Sequence, residues 1–245
     1  MNYRIKEMPV GSGESFIYGK AYIPESGDRL KAVILSHGYN SSHADLEDAA
    51  AALAEKGLFA YCFDFRGGST RSKSSGSPLE MSVMTEVDDL KRVVKAVKEF
   101  DITDGKEVYL YGESQGGFVS ALTAADMPEQ TAGLFLLYPA FCIPDDWRKI
   151  YEKDCPEKIE LMGMTISKKF YDELPGYDVF EHIKRYSGRT TIVHGTADNL
   201  VSPSYSEKAA KSFPNAKLVL YENEGHGFSA AARKKLVELI CEKIP

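Results

Sequence analysis

Ser114 is the residue whose surroundings most clearly indicate chemistry. It stands in Gly112-x-Ser-x-Gly116, after the apolar run 108–111 and before a segment with helical character. Glycines on both sides allow the backbone to turn sharply from strand to helix, and such a turn pushes the serine hydroxyl out of the sheet. Because so short a pattern also arises by chance, the interpretation of Ser114 as a nucleophile depends on the rest of the chain.

Two other polar residues follow predicted strands and could activate Ser114. Asp198 comes after the buried run 190–195, and His226 lies in a glycine-flanked loop after the strand predicted at 217–222. The order along the chain is therefore serine, then acid, then histidine. In such an order, His226 would take the serine proton and Asp198 would hold the imidazole in the required tautomer. The alternative for Asp198 is a simple turn residue. The remaining histidines have no better claim to this chemistry: His37, His43, His182 and His194.

The loop after another apolar strand predicts where a developing oxyanion would be held. The run 32–35 leads into Ser36-His-Gly-Tyr39. In an architecture of this kind, the loop supplies one backbone amide and the residue after the nucleophile supplies the second. We therefore expect the N–H groups of Tyr39 and Gln115 to stabilise the oxyanion. The alternative is that this loop forms only a tight turn.

Predicted strands and helices alternate along the chain. The strands are predicted at 3–8, 14–23, 32–38, 58–65, 107–112, 132–138, 190–195 and 217–222. The helices are predicted at 45–56, 81–99, 115–126, 203–213 and 229–243. This alternation predicts a single α/β domain over residues 1–245, with an antiparallel start and then a mostly parallel central sheet covered by helices on both faces.

Composition restricts the function further. With 245 residues, of which 43% are hydrophobic, the chain can bury one large core. The net charge is −6 and the basic residues are scattered, so we expect no nucleic-acid and no membrane partner. We find no signal peptide or membrane span and expect a cytoplasmic protein. The cysteines fit no metal spacing, so we expect reduced thiols, no metal and no cofactor: Cys62, Cys142, Cys155 and Cys241.

Five segments carry a resemblance to a known family. They read Ser36-His-Gly-Tyr39, Phe63-Asp-Phe-Arg-Gly67, Gly112-Glu-Ser-Gln-Gly116, His194-Gly-Thr-Ala-Asp198 and Gly225-His226. Through them the chain resembles the serine α/β-hydrolase superfamily over nearly its full length, and within it is similar to small bacterial carboxylesterases of the feruloyl and cinnamoyl esterase type. The resemblance implies the α/β-hydrolase fold and ester hydrolysis. The chain departs from many relatives at 66–69, where Arg-Gly-Gly-Ser replaces their Gly-His-Gly-x-Ser.

Residues 140–184 separate two predicted strands and are too numerous for an ordinary connection, which predicts a small lid-like insertion. The insertion is rich in aromatic residues, which suit an apolar or aromatic ester. The alternative is that these side chains form a core of the insertion itself. Trp147 is one candidate substrate contact. The resemblance to cinnamoyl esterases adds Asp146 and Tyr177 as candidates for holding the phenolic end of an acyl group.

The sequence therefore predicts a serine carboxylesterase that hydrolyses small soluble esters, including aromatic ones, through an acyl-enzyme on Ser114. A thioesterase or acyltransferase would use the same residues with a different leaving group or acceptor. A prolyl oligopeptidase-like peptidase shares the expected sheet, but such enzymes carry a large extra domain. A non-catalytic binding module is a further alternative, against which the intact serine, acid and histidine argue. The expected partner is a small ester molecule, and a homodimer is left open.

Overall fold

The chain folds around one mixed sheet in a computed structural model that describes residues 1–25, 27, 29–154, 156–174 and 176–244. The strands are β1 (Tyr3–Glu7), β2 (Gly19–Pro24), β3 (Leu30–Ser36), β4 (Phe59–Phe63), β5 (Thr103–Glu113), β6 (Gly133–Leu137), β7 (Lys158–Leu161), β8 (Met164–Ser167), β9 (Arg189–Gly195) and β10 (Ala216–Tyr221). Eight of them form the main sheet in the order β1-β2-β4-β3-β5-β6-β9-β10, and β7 and β8 form a separate antiparallel hairpin.

Helices cover both faces of this sheet. They are α1 (Glu47–Glu55), α2 (Val83–Glu99), α3 (Gln115–Asp126), α4 (Ile143–Lys153), α5 (Lys169–Asp172), α6 (Val179–His182), α7 (Pro203–Ser212) and α8 (Ala230–Lys243). Side chains of α1 and α8 contribute to the core on one face, whereas those of α2, α3 and α7 contribute to the core on the other. The predicted layers are therefore confirmed. None of the described helices is both long and apolar enough to cross a membrane.

The sequence of α2 shows why the helices pack as they do. Apolar residues recur at helical spacing and are buried against the sheet: Val83, Val87, Leu90, Val94 and Val97. Burying each such side chain contributes about 1.5–3 kcal/mol. The helix begins after Ser82, whose Oγ accepts a hydrogen bond from the Thr85 amide, while Thr85 Oγ1 accepts one from the Ser82 amide. This reciprocal cap fixes where the helix starts.

The parallel part of the sheet gathers the candidate residues at one edge. Strands β4, β3, β5, β6, β9 and β10 are mutually parallel. Within the described part of the main sheet, the antiparallel pairings are those of β1 with β2 and of β2 with β4. The carboxyl ends of parallel strands meet at the same edge, where ligands of open α/β sheets bind. The loops after β3, β5, β9 and β10 carry Tyr39, Ser114, Asp198 and His226 respectively.

Two predicted boundaries are wrong. The strand predicted at 14–23 begins only at Gly19, because residues 13–15 form a short 3-10 helix entered through Gly13 at φ +57°. In contrast, β5 begins earlier than predicted, at Thr103, and its pairing with β3 is interrupted by an irregular register. The side chain of Asp104 accepts hydrogen bonds from two following amides and stabilises this irregularity.

The predicted insertion 140–184 lies between β6 and β9 and contains α4, the β7–β8 hairpin, α5 and α6. Most of its aromatic side chains are buried and join the core on the face of α2 and α3: Phe141, Trp147, Phe170, Tyr171 and Phe180. The indole of Trp147 stacks on the ring of Tyr171 at a centroid distance of 4.9 Å. These residues therefore extend the core of the main sheet on this face and do not form a separate core of the insertion, which the alternative interpretation expected.

Candidate active site

Ser114 occupies a strained turn between β5 and α3. Its backbone has φ +53° and ψ −117°, a conformation that costs a non-glycine residue about 1–3 kcal/mol. The turn is held by hydrogen bonds on both sides of the peptide, since the Ser114 amide donates to Leu137 O at 2.9 Å and Ser114 O accepts from the amide of Ala140 at 2.9 Å. The serine side chain thus stands where β5 ends.

The glycines around Ser114 are required by close backbone contacts. A Cβ atom added at Gly112 would lie 2.3 Å from Gly116 O. One added at Gly116 would lie 2.4 Å from the carbonyl oxygens of both Ser36 and His37. A carbon atom cannot approach a carbonyl oxygen this closely, so Gly112 is explained by the packing of β5 against the start of α3, and Gly116 by the packing of α3 against the end of β3.

Asp198 and His226 meet at the carboxyl ends of β9 and β10. His226 Nδ1 lies 2.8 Å from Asp198 Oδ2, and Asp198 Oδ1 accepts hydrogen bonds from the amides of Leu200 and Val201, each at 2.9 Å. Burial alone would raise the pKa of Asp198, but these hydrogen bonds outweigh it and hold the pKa below its ordinary value. Asp198 is therefore a carboxylate that fixes the orientation of the imidazole.

No hydrogen bond joins Ser114 Oγ to His226 among the described residues. Ser114 and His226 nevertheless lie on neighbouring loops. The carbonyl of Leu137 accepts the Ser114 amide, and the ring of the next residue, Tyr138, contacts the His226 ring at a centroid distance of 4.5 Å. Hydrogen bonds of this kind are often loose without substrate and tighten when it binds.

A second histidine also reaches Asp198. His194 Nε2 lies 3.2 Å from Asp198 Oδ2 and 3.0 Å from Val201 O, while His194 Nδ1 lies 2.7 Å from Ser206 Oγ. The side chain of His194 is fully buried, and burial lowers its pKa, which favours the neutral imidazole. It holds the loop after β9 in place and has no access to solvent.

Tyr39 and Gln115, whose amides are the expected oxyanion donors, line the same cleft as Ser114. Gly38 is so close that a Cβ atom placed on it would be 4.0 Å from Ser114 Oγ. Within the described residues, neither amide donates to another protein oxygen. Two N–H groups without a protein acceptor can donate hydrogen bonds to a developing oxyanion.

A cleft of about 190 Å³ opens at Ser114. Its lining is mostly apolar and comes from the loop after β3, the insertion and the loop after β9: Tyr39, Ala140, Cys142, Ile143, Asp146, Trp147, Ile150, Leu161, Met162, Phe170, Leu200 and Val201. Asp146 and Trp147 are thus brought to the cleft. Tyr177 is not among the lining residues; its ring contacts His182 and lines two other surface clefts.

The tip of the β7–β8 hairpin is joined to the loop that carries Tyr39. The Tyr39 hydroxyl donates to Leu161 O at 3.2 Å, and Asn40 Nδ2 donates to Met162 O at 3.1 Å. On its other side, Asn40 Oδ1 accepts from the Thr70 amide, in the loop where the sequence departs from many relatives. The insertion therefore forms one wall of the cleft and is hydrogen-bonded directly to the loop after β3.

Sequence reasoning missed two buried carboxyl groups beside the site. Glu113 precedes Ser114 and is bonded to Arg233 of α8, and Glu86 of α2 accepts from Gln115 Nε2. A signal was available, because Glu86 lies on the apolar face of its helix and Glu113 ends an apolar strand. The described residues contain no cluster of three or more His, Cys, Asp or Glu that could hold a metal. Cys62, Cys142 and Cys241 are free thiols, and Cys155 lies outside the described residues.

Comparison with known proteins agrees with this architecture. A family model described as serine aminopeptidase, S33, matches residues 27–174, which is more than half of the chain, and one described as TAP-like protein matches 179–240. Est1E from Butyrivibrio proteoclasticus, solved with ferulic acid bound, superposes with a TM-score of 0.84 at 22% identity, covering 97% of this chain and 99% of that one. This likeness confirms the α/β-hydrolase fold.

Two curated relatives are enzymes of different specificity. Monoacylglycerol lipase ABHD6 of Mus musculus is 22% identical over 259 residues, which cover 86% of this chain and 74% of the relative. Prolyl endopeptidase FAP of Bos taurus is 27% identical over 168 residues, covering 62% of this chain and 20% of the relative. The similarity thus extends to hydrolases of both ester and peptide bonds.

Proposed function

The chain belongs to the serine aminopeptidase S33 family of α/β-hydrolases, and from that premise we propose that it is a carboxylesterase acting through an acyl-enzyme on Ser114. One observation carries the proposal. The Asp198–His226 pair lies at the same sheet edge as a serine on a strained turn, beside two unpaired amides and an apolar cleft. This arrangement combines a base, an orienting acid, a nucleophile and an oxyanion site.

In the acylation step, Ser114 Oγ attacks the carbonyl carbon of the ester while His226 Nε2 takes the hydroxyl proton. The carbonyl oxygen becomes an oxyanion and accepts hydrogen bonds from the amides of Tyr39 and Gln115. Asp198 stabilises the imidazolium that forms. When the tetrahedral intermediate collapses, the bond from carbon to the alcohol oxygen breaks and His226 gives its proton to that oxygen.

Deacylation repeats the sequence with water. His226 takes a proton from a water molecule, whose oxygen attacks the acyl carbon, and the same two amides hold the second oxyanion. The bond to Ser114 Oγ then breaks, and His226 returns the proton to the serine. Each amide contributes through charge that exists only in the intermediate, and losing one such donor typically costs about 2.7–4 kcal/mol.

The cleft supports an apolar acyl group. Besides Asp146, its lining residues beyond Ser114 and Gln115 are aliphatic, aromatic or sulfur-containing among the described side chains. The likeness to an esterase solved with ferulic acid and to monoacylglycerol lipases supports aromatic or aliphatic esters as substrates. We propose that Trp147 and the aliphatic side chains around it receive the acyl group, with the insertion 140–184 excluding water as a lid.

The family description also names an aminopeptidase, which would have to bind a substrate ammonium group. Asp146 is the one carboxylate among the described lining residues, and Lys149 Nζ lies 3.2 Å from its Oδ1. Since this carboxylate already has a cation beside it, the cleft offers little additional attraction for an ammonium group. The lining therefore favours an uncharged ester over a peptide N-terminus.

A substrate panel tests the proposal directly. Purified protein would be assayed on p-nitrophenyl esters of graded acyl length, methyl ferulate, an acyl thioester and an aminoacyl anilide, with Ser114→Ala as the matched control. We expect hydrolysis of the oxygen esters that is absent in the control. Preference for the thioester would indicate a thioesterase, and preference for the anilide would indicate the peptidase; either result would replace the carboxylesterase proposal.

A further inference from the structure

We propose that Arg233 is a positioning residue that holds the loop of His226 against the turn of Ser114. The inference rests on the proposed function, because it assigns Arg233 a part in aligning the base with the nucleophile. Arg233 lies in the first turn of α8, about one helical turn beyond the loop that carries His226. It does not line the cleft at Ser114.

The guanidinium of Arg233 joins the two loops through three hydrogen bonds and donates a fourth to Tyr138 OH at 3.4 Å. Its Nε donates to Gly227 O at 3.0 Å, and its two terminal nitrogens donate to Glu113 Oε1 at 2.8 Å and Glu113 Oε2 at 3.2 Å. Gly227 directly follows the base, and Glu113 directly precedes the nucleophile. One planar group therefore connects the neighbours of the two residues that must exchange a proton.

The carboxylate of Glu113 is the centre of a larger buried network. It also accepts hydrogen bonds from Tyr111 OH at 2.5 Å and Tyr138 OH at 2.6 Å. The ring of Tyr138 in turn contacts the imidazole of His226. Because the Glu113 side chain is only 11% exposed, its charge must be compensated locally, and Arg233 provides that compensation.

The loop that carries His226 needs such a restraint. Asn223, Gly227 and Phe228 all have positive φ, so the loop backbone is in a conformation that non-glycine residues adopt at a cost. The His226 side chain is itself partly exposed and is bonded only through Nδ1 among the described contacts. Small displacements of a catalytic group reduce rates steeply, and a loop without the Arg233 bonds would sample more of them.

A lysine side chain cannot make the hydrogen bonds of the Arg233 guanidinium, so Arg233→Lys is a conservative substitution that tests the proposal. An ammonium group keeps the charge opposite Glu113 but cannot donate in one plane to Gly227 O and to both carboxylate oxygens. We expect Arg233→Lys to lower kcat on p-nitrophenyl acetate about 10- to 100-fold, with KM changed much less. The rate constant for labelling of Ser114 by a fluorophosphonate should fall with kcat, since labelling needs the same serine–histidine alignment.

Glu113→Gln tests the other end of the same contact, and the double variant tests whether the two residues act together. We expect the double variant to lose no more kcat than the worse single variant, because each substitution breaks the same unit. Lys91→Met is the matched control. It breaks the ion pair between Lys91 and Asp126, 2.6 Å long and remote from the cleft, and should leave kcat and labelling unchanged.

Folding must be measured beside activity. The melting temperature and the folded fraction at the assay temperature separate a positioning role from a structural one. If Arg233→Lys does not fold, the same measurements are made on Glu113→Gln. Wild-type kcat in folded Arg233→Lys would overturn the proposal, as would a loss that equals the unfolded fraction. Failure of the proposed function is distinguishable, because Ser114→Ala would then retain activity or the wild type would resist fluorophosphonate.

Discussion

Gln115 Nε2 donates a 2.8 Å hydrogen bond to Glu86 Oε2 inside the core, so a buried carboxyl group is hydrogen-bonded to the residue that follows Ser114. Glu86 is only 1% exposed. Its burial raises the pKa to about 8, with the charge of Asp89 adding to the shift and the bond from Gln115 opposing it. The charge of Glu86 also acts on the phenol of Tyr39, and Asp89 is itself paired with Arg66.

This shift predicts how the free energy of unfolding depends on pH. Between about pH 4.5 and 8 the folded chain keeps the Glu86 proton that the unfolded chain has released, so the folded state binds more protons. The contribution of Glu86 to stability is therefore complete at low pH and is lost as pH rises through this window. Its slope is at most about 1.4 kcal/mol per pH unit.

Urea unfolding of wild type and Glu86→Gln across this window measures the effect. We expect the wild type to lose stability relative to Glu86→Gln as pH rises, since the amide cannot ionise but still reaches Gln115. Glu181→Gln, at an exposed glutamate, is the control and should show a constant difference from wild type. Parallel pH dependence of wild type and Glu86→Gln would contradict a protonated Glu86.

The order of elements and the positions of Ser114, Asp198 and His226 followed from the sequence because each depends on local pattern. Apolar runs predict buried strands, and glycines mark the turns where the chain leaves them. Helix 115–126 is predicted at its observed bounds. The strand predicted at 14–23 failed because the 3-10 turn at its start depends on backbone conformation and not on apolar periodicity.

The parts of the site that depend on distant contacts could not be predicted. Arg233 and Glu113 are 120 positions apart, and nothing in the spacing of either pairs them. Tyr177 was expected at the cleft from a likeness of short motifs, but it lines a different surface cleft, beside His182 and Arg185. Pairings of this type depend on how insertions and helices pack, which local pattern does not encode.

Substitutions of Ser114 should separate its catalytic role from its backbone strain. Ser114→Ala and Ser114→Gly should both lose about 10⁴-fold or more in kcat, because neither has a nucleophile. Glycine, however, adopts φ +53° without steric cost, so Ser114→Gly should be about 1 kcal/mol more stable than Ser114→Ala. Steady-state assays, fluorophosphonate labelling and urea titrations check these outcomes. Substantial turnover by either variant would remove Ser114 from the mechanism.

Substitutions of the acid and the two histidines should identify the base. Asp198→Asn should lower kcat by about 10⁴-fold, since an amide no longer stabilises the imidazolium, and His226→Ala should be similarly damaging. His194→Gln should lower the free energy of unfolding and have a smaller effect on kcat than His226→Ala, because His194 is fully buried and supports the loop after β9. Activity should rise with pH along one limb, as a histidine base must be neutral. Equal losses of kcat from His194→Gln and His226→Ala would mean that the base is wrongly assigned.

The cleft mouth should determine acyl preference. Met162 and Leu200 line the cleft yet are 62% and 54% exposed, so truncating either to alanine removes substrate contact with little loss of core packing. We expect kcat/KM for a long-acyl or aromatic ester to fall roughly 10- to 200-fold relative to p-nitrophenyl acetate, whose acetyl group is too short to reach them.

Trp147→Ala should shift selectivity in the same direction but also lower the melting temperature, because its indole stacks on Tyr171 in the core. Tyr177 is remote from the cleft, so Tyr177→Ala is the matched control and should leave the ratio of the two kcat/KM values unchanged. If Met162→Ala and Leu200→Ala reduce both esters in proportion, the acyl group does not lie along this rim.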